Sequence, residues 1–164
     1  METLQELFED QLKDIYYAEK KIAKTLPKLA KAASYLELQK AFEDHLEETE
    51  KHISRLEQIF ELIGMQARGK KCEAIEGILE EGSEFLKDKS EFDPDVLDAG
   101  LIASAQRVEH YEITVYGTLC TFAKRIGQDK AAELLGETLG EEKTADKKLT
   151  DIAVNKVNNK AAKA

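Results

Sequence analysis

Proline and cysteine are scarce in this chain, tryptophan is absent, and bases are outnumbered: two prolines and two cysteines stand beside 33 acidic and 24 basic side chains. With so few prolines in 164 residues, little interrupts long helices, and a strongly helix-favouring chain is expected. Cys72 and Cys120 are isolated, with no CxxC and no paired spacing. That argues against a thiol-redox motif, a zinc site or a disulfide framework and leaves both as small buried hydrophobes. A net charge of −9 without a basic stripe argues against a nucleic-acid backbone or an anionic membrane as partner; cations suit it better. No window approaches the about 18 uninterrupted apolar residues of a membrane span. The opening METLQELFEDQLKD also lacks the basic and apolar regions of a targeting peptide, so a cytoplasmic protein is expected.

What is present is helical periodicity. The composition suits one core-forming domain, expected over residues 1–158 with a frayed tail at 159–164. Thr3-Leu-Gln-Glu6 fits a capping box opening a first long helix that runs to about Ala32. Its inward side reads Leu4, Phe8, Gln11 or Leu12, Ile15, Glu19, Ile22, Leu26 and Leu29, and Pro27 is expected to kink it. The second helix, Leu36 to Ile63 with Gly64 as its stop, carries Leu38, Phe42, His45, Thr49, His52, Leu56, Ile59 and Ile63 inward. A long crossover follows, with one short helical pattern from about Cys72 to Lys87. Asp93 caps Pro94 to start the third long helix, which ends before Gly127. Its stripe is Leu101, Ala105, Val108, Glu112, Val115, Leu119, Phe122 and Ile126. The fourth runs from about Asp129 to Val157 with Leu135, Thr138 or Leu139, Glu142, Ala145 or Asp146, Leu149 and Ile152 inward.

These four helices of roughly 30 residues would each span about 45 Å. They form two tight hairpins joined by one long crossover, the connectivity of an all-α, ferritin-like antiparallel four-helix bundle. In an antiparallel hairpin, residues equally distant from the turn share a height. Glu19 then faces a level bracketed by His45, Glu48, Thr49 and His52, and Glu112 faces Glu142. Like charges drawn into one core layer carry several kcal/mol each of desolvation cost unless something positive sits among them. A pair of metal ions would supply that charge, and carboxylate and imidazole at mid-bundle are the ligands such sites use. Glu109, three residues before Glu112, can lean toward the same site, although it flanks the stripe.

Other readings of the same residues stand beside this one. Glu19 could face solvent and pair with Lys20 or Lys24, and His45 and His52 could be satisfied core histidines. Tyr16, Tyr111 and Tyr116 could orient carboxylates or simply pack. His110 points away from the Glu112 face, to a surface or a dimer contact. Glu43, Asp44, Glu47, Glu57, Glu61 and Glu141 read as a solvated face.

The blocks DIYYAEKKIAKTLPKLAKAA, AFEDHLEETEKHISRLEQIF, KCEAIEGILEEGSEF, AQRVEHYEITVYGTL and LLGETLGEEKTADKKLTDIAVNKVNNKA cover nearly the whole chain. In that order they resemble the YciF-like family of bacterial stress-associated ferritin-like proteins. The resemblance implies a rubrerythrin-like four-helix bundle with an extra crossover helix, a homodimer, and a dinuclear metal centre. It maps glutamate ligands onto Glu19, Glu109, Glu112 and Glu142. The chain departs from the ferritin-like pattern at the second helix, where His45-Leu-Glu-Glu48 reverses the ExxH order and His52 follows. It departs again at the fourth, where Ala145 stands at the expected histidine and Asp146 comes next, joining the candidate ligands.

The functional expectation is a stress-response protein with dinuclear iron, manganese being the alternative, reactive toward oxygen or peroxide. Whether it turns over a substrate is left open. The competing expectation is a non-enzymatic dimeric bundle acting by association, its polar layer fixing helix register. A storage cage is disfavoured, since a dimer of bundles encloses no interior. The crossover block with Glu76, Glu80 and Glu81 is expected to be a helix whose Ile75, Ile78, Leu79 and Phe85 lie on the bundle or on a second subunit, and Glu76 could reach a metal.

Overall fold

The computed structural model describes residues 1–87 and 89–164. Its long helices are α1 (Leu4–Ala32), α2 (Leu36–Leu62), α4 (Pro94–Arg125) and α5 (Asp129–Ile152), with α3 (Glu73–Lys87) in the crossover. A 3-10 turn, Lys89–Glu91, precedes α4, and a π turn, Ala153–Val157, leads from α5 into the short α6 (Asn158–Ala161). Among the described residues there is no strand, and no helix is long and apolar enough to cross a membrane.

Local chemistry sets the ends of these helices. Thr3 accepts from the Glu6 amide at 3.1 Å while Glu6 accepts from the Thr3 amide at 3.2 Å, closing the expected capping box. Asp93 caps α4 with Pro94 in its first turn. Gly64 and Gly127, at φ 71° and 76°, end α2 and α4. There the amides of Met65 and Gln128 reach back to the Phe60 and Ala123 carbonyls, both at 2.8 Å, a closure that needs a left-handed residue. Pro27 lies within α1, which continues past it to Ala32.

Two short turns make α1/α2 and α4/α5 antiparallel hairpins, and the contacts between hairpins fix their register. Asp44 meets Lys148 and Arg55 meets Glu137, so α2 and α5 run oppositely. Glu19 meets Tyr116 and Ser34 meets Asp98, so α1 and α4 do too. Each long helix therefore packs against two antiparallel neighbours around one core. Phe8, Leu12, Ile15, Leu38, Phe42, Leu56, Ile59, Leu101 and Leu119 are sealed in it. Each such side chain contributes about 1.5–3 kcal/mol of burial free energy.

The stripes shift in places from their expected positions. Leu4 is 37% exposed, because it sits on the first turn beyond the neighbouring helix ends. Leu12 is buried rather than Gln11, and Thr138 rather than Leu139. On α4 the stripe beyond Glu112 runs through Tyr116, Leu119 and Ala123, leaving Val115, Phe122 and Ile126 only partly covered. A helix of 3.6 residues per turn drifts off a fixed 4-3 alternation, and here the drift brings Tyr116 inward. The fourth helix was expected to run unbroken to Val157, but its hydrogen bonds widen after Ile152. Ile152 and Val157 are both buried and five residues apart, a spacing that a π turn stacks and an α turn does not.

The crossover is strapped to α1: the Lys70 amide donates to the Lys13 carbonyl at 3.0 Å, and the Lys70 ammonium pairs with Asp10 at 2.6 Å. Helix α3 lies on α4 and α1, its Phe85 ring filling the room left by Gly100, where a Cβ would clash.

The turn between α1 and α2 has a cap from outside its own hairpin. Asp98 of α4 is fully buried and accepts from the Ser34 amide at 2.8 Å, the Ser34 hydroxyl at 2.7 Å and the Tyr35 amide at 2.9 Å. Tyr35, the N-cap of α2, offers no side-chain cap of its own. Replacing Asp98 by Ala removes the buried acceptor of three hydrogen bonds from a partly covered turn and is expected to cost about 2 kcal/mol. The Thr3→Ala change, at an exposed cap, is expected to cost about 1 kcal/mol. Urea denaturation of both variants measures the difference.

Candidate metal centre

At mid-height the apolar stripes of all four long helices give way to polar residues. Helix α1 contributes Glu19, α2 contributes His45, Thr49 and His52, α4 contributes Glu109 and Glu112, and α5 contributes Thr138 and Glu142. All are buried; Glu19, His52, Glu112 and Glu142 expose nothing. On α2 the steps of four and three keep both imidazoles on the core side, and on α4 the step of three does the same for the two glutamates. Glu109, which flanks the sequence stripe, is thus well inside.

Their atoms converge in two overlapping groups. His45, Glu109, Glu112 and Glu142 each place a ligand atom within 4.8 Å of the others, and so do Glu19, His52 and Glu142. Glu142 belongs to both. His45 Nε2 lies 3.1 Å from Glu109 and 3.8 Å from Glu142; His52 Nδ1 lies 3.0 Å from Glu142 and 3.5 Å from Glu19. Yet these atoms do not satisfy one another. Both oxygens of Glu112 and of Glu142, one each of Glu19 and Glu109, both nitrogens of His45 and Nδ1 of His52 lack a hydrogen-bond partner. Folded proteins pair nearly all such buried groups, so this concentration of free lone pairs fits a cation-binding site.

The surrounding residues hold the layer in place. His52 turns Nε2 outward to Glu141 at 2.9 Å, and Glu141 is clamped by the Arg55 guanidinium, with Nη2 at 2.9 Å. A carboxylate on the outer nitrogen fixes the ring and leaves the inner one facing the cluster. Tyr116, fully buried, donates its hydroxyl to Glu19. The other two tyrosines serve elsewhere: Tyr16 donates to Glu57 at 2.7 Å, and the Tyr111 hydroxyl meets the Cys72 thiol at 3.1 Å.

Two expected ligands stand outside the convergence. Glu48 is about two-fifths exposed and approaches the site only through His45 Nδ1, at 3.5 Å. Asp146 accepts from Gln106 at 3.0 Å and pairs with the exposed His110 at 3.3 Å. Glu76 is bound by Tyr17 and Lys21 on the crossover side. Conversely, Glu141, which the sequence places on a solvated face, and Arg55, which the sequence pattern gives no role, both serve the site. The only available signal was that Arg55 follows His52 by three residues and shares its side of α2.

Burial raises the carboxyls of Glu19, Glu109 and Glu112, the last two far above the ordinary range, and neighbouring acids add to the effect. For His52, burial acts downward, but Glu142 and Glu19 outweigh it and push the imidazole up to about 10. Arg55 and His52 hold Glu141 below the usual range despite its partial burial. Without a cation the layer therefore retains protons, and binding one would release them.

The arrangement defines an all-helical protein with an acid and imidazole layer suited to cations. The chain belongs to the family described as Domain of unknown function (DUF892), which matches residues 3–162. It is 48% identical to Protein YciF of Escherichia coli strain K12 over 162 residues, 98% of this chain and 96% of that one. The crystal structure of the E. coli stress protein YciF superposes with a TM-score of 0.91 over 96% of this chain and 99% of that one. YcfI of Rhodopseudomonas palustris, 42% identical, gives 0.88 over 93% and 96%. A Xanthomonas campestris protein at 22% identity shares the fold, with 0.73 over 92% and 91%.

The raised Glu112 carboxyl sets a pH dependence. In chelated protein its contribution to stability is complete below the unfolded value near 4.5 and is lost as pH rises through the higher folded value. Glu112→Gln stays neutral throughout. Thermal melts in chelator from about pH 5 to about pH 8 should show the variant gaining on wild type as pH rises.

Proposed function

We propose that this chain is a ferritin-like antiparallel four-helix bundle holding a dinuclear metal centre, iron or alternatively manganese, that reacts with oxygen or peroxide in cytoplasmic stress defence. The observation that carries this reading is the pair of buried ligand groups that share Glu142, their lone pairs unsatisfied. His45, Glu109 and Glu112 would hold one ion, Glu19 and His52 the other, and Glu142 both. Such a pair would supply Lewis acidity and electrons to a small oxidant.

The chain's own residues prepare that chemistry. Arg55 and Glu141 fix the His52 ring, with Nδ1 aimed inward. Tyr116 Oη orients Glu19 by donating to Oε1. Ile15 and Ile22 lie one turn either side of Glu19, and Phe42 and Leu56 flank the two histidines; all four are buried and keep bulk water out. Stress defence is supported by kinship with the E. coli stress protein.

The alternative, a non-enzymatic homodimer acting by association, draws on exposed Leu36 and Val154, which sit toward the same end of the molecule as the Asp44–Lys148 contact. Anaerobic ferrous titration separates the two. The metal reading expects uptake of about two ions per chain, an absorbance change on adding peroxide, and a metal-dependent rise in Tm, worth about 2.7 kcal/mol at a hundred times Kd. Glu142→Gln, which strikes both ligand groups, should remove all three. Wild type that takes up no iron and melts unchanged would leave the association reading standing, with light scattering to test the dimer.

A further inference from the structure

A cavity of about 360 Å³ opens between α2 and α5 and ends at the cluster. Its floor is His45 and Glu109, both more than nine-tenths buried, and both His45 nitrogens lack a hydrogen-bond partner. From α2, Asp44, Glu47, Glu48 and Lys51 line its mouth; from α5, Ala145 and Lys148 do. Asp44 is tied to Lys40 and Lys148, each at 2.9 Å. That leaves Glu47, Glu48 and the Lys51 ammonium facing the space, with Glu48 Oε2 3.5 Å from His45 Nδ1.

We propose that this cavity is the port through which a divalent cation reaches the cluster, with Glu48 receiving the ion at the mouth and His45 and Glu109 taking it onward. The inference rests on the metal reading above and assigns Glu48 a transit role instead of a resident one. Three features support it. The mouth presents partly exposed carboxylate oxygens, the donors that hard cations exchange for water. Ala145, one turn beyond Glu142, is small enough to leave the passage open in front of His45. Another cavity touching His45 and Glu109, under α3, measures about 20 Å³ and is walled mainly by apolar side chains such as Ile22, Leu26, Leu29 and Leu79. It has room for about one water, and apart from His45 and Glu109 themselves its lining offers no charged group to replace a hydration shell.

The test is stopped-flow uptake of manganese(II) by the metal-stripped full chain, followed by competition with a fluorescent chelator, alongside equilibrium stoichiometry and chelated melts. Glu48→Gln is expected to slow uptake about tenfold and to flatten its dependence on ionic strength, with the final number of ions unchanged. Ala145→Met, which narrows the passage without touching a charge, is expected to slow uptake too, again with unchanged stoichiometry. Fewer ions bound by Glu48→Gln would make Glu48 a resident ligand and overturn the proposal, as would unchanged rates in both variants. Wild type binding no manganese and no iron at equilibrium would instead overturn the metal reading itself. Matching chelated melts exclude misfolding as the cause of a slow rate.

Discussion

Four carboxylates and two imidazoles share one buried layer, and the rest of the structure is arranged around the electrostatic cost of that crowding. Burial alone disfavours each negative charge, and each acid raises its neighbours further, so Glu109 and Glu112 hold protons far above the ordinary range. Helix packing could be stabilised more simply with leucine at these positions, since buried charges seldom repay their desolvation. The layer makes physical sense as a place prepared for positive charge, with its orphaned lone pairs pointing at one another.

The architecture exists to hold that layer at one height. Four helices converge on it, so their relative register must be fixed along their full length. Asp98 does this at one end by capping the α1–α2 turn from α4, which ties the two hairpins together through hydrogen bonds to a buried carboxylate. Near the middle, Arg55 and Glu141 join α2 to α5 while orienting His52. Both devices place a charged group where a partner from another hairpin satisfies it, which makes slippage of one helix expensive. The apolar residues supply the bulk of the stability; these few polar contacts select the alignment.

Much of this was legible in the chain. The capping box, Asp93-Pro94 and the two glycine stops mark the helix ends because capping depends on residues a turn or less apart. The interruptions at Glu19, His45, His52, Glu112 and Glu142 are visible because equal distance from a short turn is nearly equal height. Glu141 was not legible: it adjoins Glu142 and looks solvated until α2 brings Arg55 and His52 against it. Asp98 was hidden too, since its partners Ser34 and Tyr35 lie more than sixty positions away in the chain. Comparison with relatives adds the family and the shared fold, and the chemistry of the site has to be argued from its atoms.

The sequence by itself determined the helices, their pairing into hairpins and the depth at which acids enter the core, because periodicity, caps and turn lengths are local. Only the tertiary structure decided how far each side chain converges. It drew Glu109 fully inside, left Glu48 at the mouth of a cavity, turned Asp146 toward Gln106, and gave the two ligand groups Glu142 in common. Helices drift by a fraction of a turn relative to any idealised stripe. The face a residue presents is therefore settled by the neighbours it must pack against.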